Sequence, residues 1–113
     1  MNIREHIQKI SLKLRDSENV NMVDMANDLV ELSSLMSSLN KEIGDWQFEY
    51  NKLLQENLVK HGKAAQAKIE TDASQTYKEL NDRRLQSVAV VELIRSIKYR
   101  LKALEMEHKE FTR

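Results

Sequence analysis

Between Met22 and Leu53 the apolar and aromatic residues fall at Met22, Met25, Leu29, Leu32, Met36, Leu39, Ile43, Trp46, Tyr50 and Leu53, in alternating steps of three and four. This heptad seam predicts a long helix with one face set against a neighbour in a left-handed coiled coil, with Met22, Leu29, Met36, Ile43 and Tyr50 at the a positions. Gly44 lies inside the run without breaking it, at a cost of about 1 kcal/mol relative to alanine. The pattern stops at Lys60-His61-Gly62-Lys63, so the helix spans residues 22 to about 60. At the α-helical rise it is about 58 Å long.

Two further helices flank it. Ile3, Ile7, Ile10 and Leu14 make one apolar stripe over residues 3 to about 15. The polar stretch from Asp16 to Asn21 then reads as a connection, with Asn21 or Asp24 able to cap the long helix. A third helix over residues 63 to about 111 starts narrow, with Ala64, Ala65, Ala67, Ile69, Ala73, Tyr77 and Leu80. Farther on, Val88, Val90, Val91, Leu93, Ile94 and Ile97 spread round more than one side, which calls for two neighbours. A reversal near Gly62 supplies them. It brings Trp46 and Tyr50 beside residues 73–77, Met36 near Val88, and the first helix level with residues 88–102, so that large side chains meet small ones. The expected fold is all-α: a long antiparallel coiled-coil helical hairpin with a short N-terminal third helix, forming a three-helix bundle at the open end.

Composition narrows the alternatives. The 113 residues suit one domain, residues 1–113, with 32% charged side chains, 5% aromatic, no proline and two glycines. That lack of turn formers argues against sandwiches, barrels and Gly-rich nucleotide loops. No cysteine means no disulfide framework, thiolate zinc site or cysteine nucleophile, and fits a reducing cytoplasm. No apolar run is long enough to span a bilayer, so no membrane association is expected. Lys plus Arg and Asp plus Glu both total 18, yet the halves differ: residues 1–59 hold 6 bases and 10 acids, and residues 60–113 hold 12 bases and 8 acids. Opposite charge favours pairing the halves, within one chain or by exchange in a homodimer; both remain open.

Chemistry-bearing patterns are sparse. Glu105 and His108 have the Glu-x-x-His spacing of di-iron bundles, but the second motif and the two further carboxylates are missing. His6 and His61 are isolated from any relay partner. Asp28, Glu42, Glu49 and Glu56 recur every seven or fourteen residues at g positions, the ordinary flank of a coiled coil rather than a magnesium site. Neither phosphate-binding glycine motif occurs. The chain therefore reads as a non-enzyme with no cofactor, metal or small-molecule substrate. Phe48 occupies an f position, facing directly away from the seam, and Val59 lies three turns later on nearly the same side; the pair is the candidate anchor for a partner protein or another copy. The alternative is a nucleic-acid-binding face of Arg95, Lys98, Arg100 and Lys102, a run without an acid. Lys52, Lys60, His61, Lys63 and Lys68 cluster at the hairpin tip, where cations complement the C-terminal end of a helix. Asn57, at an a position, is expected to set register.

The stretch Val91-Glu92-Leu93-Ile94-Arg95-Ser96-Ile97-Lys98-Tyr99-Arg100-Leu101, after an Ala/Lys-rich helix start, resembles small all-helical accessory proteins of bacteriophages and prophages of Gram-positive hosts. The resemblance covers about half the chain and transfers no functional residue. It implies an accessory or regulatory protein that acts by binding in the host cytoplasm.

Overall fold

The computed structural model describes residues 3–15 and 22–111, with side chains described as far as Glu107. They form α1 (Ile3–Arg15), α2 (Met22–His61), α3 (Ala64–Asp72) and α4 (Gln75–Phe111). No strand occurs among the described residues. The connection expected at residues 16–21 lies outside them.

The chain reverses at Gly62. Its φ of 67° is left-handed, and its N–H bonds the Leu58 carbonyl at 2.8 Å, closing the last turn of α2. Lys63 is extended and starts α3 without a side-chain cap. The single third helix expected over residues 63–111 is instead two helices. Ser74 breaks it: its hydroxyl donates to the Thr71 carbonyl at 2.5 Å and accepts the Tyr77 N–H at 3.2 Å. That is an N-cap, the local alternative that serine offers a backbone in place of continued helix.

The described residues form two compact units. One comprises the described parts of Met1–Ser37 and Val88–Arg113, the other Ser38–Ser87.

The Ser38–Ser87 unit is an antiparallel helical hairpin. Passing up α2, Trp46 meets Arg83, Tyr50 meets Tyr77 and Asp72, Asn57 meets Thr71, and His61 meets Glu70. Leu39, Ala67 and Leu80 are fully buried. The expected small-residue stripe is only partly inward. Ala67 and Leu80 are buried and Tyr77 half-buried, but Ala64, Ala65, Ile69 and Ala73 face out. The short α3 can turn only one face inward, and Ala67 with Thr71 one turn later occupies it. The aromatic residues therefore do not sit among alanines. Tyr50 lies 5.9 Å from the Tyr77 ring, while Trp46 lies beyond the expected 73–77 region, against Arg83 at 5.7 Å. The offset is already present at the tip, where Asn57 meets Thr71 and His61 meets Glu70 ahead of the break.

In the other unit, three helices pack together. The contacts of His6 with Glu31 and of Lys13 with Asp28 run α1 antiparallel to the start of α2, and Arg100 of α4 donates to the Leu14 carbonyl. Ile10, Leu14, Met25, Leu32, Val90 and Ile97 form the core. Val91, Leu93 and Ile94 are half-buried beside them, as a helix with two neighbours requires. Two residues expected to pack face solvent, Met22 of the seam at the start of α2 and Val88 of the broad apolar zone on α4. Asp28, expected on an exposed flank, is only 6% exposed because α1 covers it, and Lys13 Nζ lies 3.4 Å from both carboxylate oxygens.

Candidate functional site

The outer face of α2 in the Ser38–Ser87 unit is set by what its inner face does. Leu39 is buried, Ile43, Trp46, Tyr50 and Leu53 are half-buried, and Asn57 is 8% exposed with its amide donating to Thr71 Oγ1 at 3.0 Å. Thr71 is fully buried and passes the chain on, donating to the Ala67 carbonyl at 2.6 Å. Asn57 thus makes a buried polar contact across the hairpin, the kind of contact that can select register in coiled coils. Phe48 and Val59 are consequently turned outward, at 68% and 84% exposure. They are three turns apart, about 16 Å along the axis. Lys52, Gln55, Glu56 and Val59 line an open depression whose walls all belong to α2, so the surface suits a protruding partner rather than a small molecule.

The tip beside this face is polar. His61 Nε2 bonds Glu70, and Lys60 Nζ lies 3.5 Å from the same carboxylate. The His61 contact, reinforced by Lys60, holds the Glu70 carboxyl below its ordinary value. Deeper in, the Tyr50 hydroxyl donates to Asp72 at 2.6 Å. That bond, together with burial and the nearby carboxylate charge, pushes the phenol up to about 12.

The four cations expected to form a phosphate-binding face do not act alike. Arg95, Lys98 and Lys102 are exposed on α4, and Tyr99 among them is 78% exposed. Arg100 borders the same open depression as Arg95 and Tyr99, but its guanidinium donates to the Leu14 carbonyl, at the C-terminal end of α1 where a cation complements the helix dipole. It is a structural residue of that unit. Its position 140° round the helix from Arg95, at about 100° per residue, was the available signal.

The seam pattern does not single out a second set of outward apolars on α2, Val23 and Val30, which are one heptad apart and both exposed. Their i, i+7 spacing off the seam was the signal. Glu105 is exposed, and the His108 side chain lies outside the described residues. Among the described residues, no group of three His, Cys, Asp or Glu could hold a metal ion, and no helix is long and apolar enough to cross a membrane. No known protein family, characterised protein or solved structure matches the chain.

Proposed function

We propose that the chain is a non-enzymatic protein-interaction module that docks a protein partner, or another copy of itself, on the outer face of α2 at Phe48 and Val59. The observation that carries this reading is that both side chains face solvent on one side of a helix whose opposite side is already spent on packing. Fully covering a phenylalanine contributes about 1.5–3 kcal/mol, so two such anchors make a modest but specific contact. The resemblance of residues 91–101 to phage-encoded helical proteins fits an accessory or regulatory role in the host cytoplasm, and the absence of cysteine suits that compartment.

The test is a photo-reactive phenylalanine analogue at position 48, introduced in the cell that makes the protein. A discrete crosslinked protein that disappears with Val59→Asp supports the reading. No adduct at any dose of light removes it.

Nucleic-acid binding is the alternative, favoured by the exposure of Arg95, Lys98 and Lys102 beside Tyr99. Three phosphate contacts would give a slope of about −2.7 in log affinity against log salt. A DNA and RNA titration at two salt concentrations, with Lys98→Glu as control, decides it. Apolar docking through Phe48 is comparatively indifferent to salt.

A further inference from the structure

We infer that the outer face of α2 from Phe48 to Lys60 is a homotypic surface on which a second copy of the chain docks antiparallel. This rests on the reading of Phe48 and Val59 as docking anchors and adds the partner. Charge order selects the partner and its direction. Along this exposed face the acid Glu49 lies at one end and the base Lys60 at the other, with Lys52 and Glu56 between. Placing Phe48 against Val59 of a second antiparallel copy sets Glu49 opposite Lys60 and Lys52 opposite Glu56, each pair occurring twice by symmetry. A parallel pairing would put each of these charges against its own kind. Lys60, although within 3.5 Å of Glu70, keeps 66% of its side chain exposed and can reach a second carboxylate. The aliphatic stem of Lys52 covers the gap between the two anchors. The other flank of the face, with Asn51 and Gln55, is uncharged and adds no repulsion.

A face of this length makes a small, exchanging interface, so association is measured by sedimentation velocity over about 5–500 µM, the range of weak complexes. The chain of 13.2 kDa is expected to approach twice that mass with rising concentration. Lys52→Glu and Glu56→Lys are each expected to weaken self-association about tenfold or more, because each puts like charges face to face. Mixing the two variants in equal amounts is expected to restore the dimer, since both 52–56 contacts in the mixed pair are then attractive. Phe48→Ala is expected to abolish it with unchanged helicity by circular dichroism. The inference is overturned by a wild-type chain that stays monomeric throughout, by single variants that associate as well as wild type, or by a mixture that associates no better than its components. If the chain stays monomeric yet still crosslinks at position 48 to a different protein, the second copy is excluded as occupant and the docking face stands. Loss of both removes both.

Discussion

Replacing Thr71 by valine keeps the shape of the side chain and removes only its hydroxyl. Thr71 is fully buried, and its Oγ1 accepts the bond from the Asn57 amide, which is itself only 8% exposed. Thr71→Val therefore leaves a buried N–H without that acceptor, which costs about 1–3 kcal/mol, while the lost bond to the Ala67 carbonyl adds little because helical carbonyls retain their own donors. Asn57→Leu in the same background removes the stranded donor and replaces it with apolar surface, so the double variant should recover most of the loss. A coupling energy of about 1–2 kcal/mol between the two positions is the expected result. Urea unfolding of wild type, both single variants and the double variant, followed by far-UV circular dichroism, measures it. Strictly additive effects, or a Thr71→Val variant as stable as wild type, would refute the claim that this polar layer is a matched pair.

Three other outcomes are expected at individual positions. At Gly44 a new Cβ would touch nothing within 4 Å, so Gly44→Ala should stabilise by about 1 kcal/mol through helix propensity alone. At Gly62 the surrounding space is equally open, but φ is 67°, so Gly62→Ala should destabilise by about 1–2 kcal/mol; thermal unfolding of the two alanine variants should shift in opposite directions. The Tyr50 phenol, raised to about 12 from an ordinary 10 by its bond to Asp72, contributes stability that is complete below pH 10 and lost as pH rises toward 12. Tyr50→Phe should flatten the unfolding free energy over that window, and an unchanged slope would exclude the effect.

The inward residues of α2 were legible because their spacing repeats without error, and the burial of Met25, Leu32 and Leu39 agrees with it. The antiparallel sense was legible from Gly62, where only a residue tolerating positive φ can close α2 and start the return. The break after Asp72 was not. Ser74 is one hydroxyl among several in that stretch, and whether it caps a helix or decorates one depends on the Thr71 carbonyl and Tyr77 N–H that it finds in three dimensions. The same limit applies to charge. Arg100 reads as one of four equal cations in the sequence, yet α1 ends beside it and offers a carbonyl, while the other three stay exposed. Asp28 reads as an ordinary flank acid, and only the covering helix makes it a buried one.

The polar layer and the docking face are linked by rotation. Helical geometry puts Val59 about 200° from Asn57 and Phe48 about 180° from it, so whatever turns Asn57 inward turns both anchors outward. An apolar residue at position 57 would bury itself equally well over a range of rotations, because leucine contacts are not directional, whereas an amide bonded to Thr71 Oγ1 at 3.0 Å accepts only a narrow one. Asn57→Leu alone should therefore preserve or raise the stability of the hairpin while loosening the presentation of Phe48. The expected signature is a chain that unfolds at equal or higher urea concentration yet crosslinks less efficiently from position 48. Crosslinking undiminished at that higher stability would show that packing of the seam by itself fixes the rotation of α2.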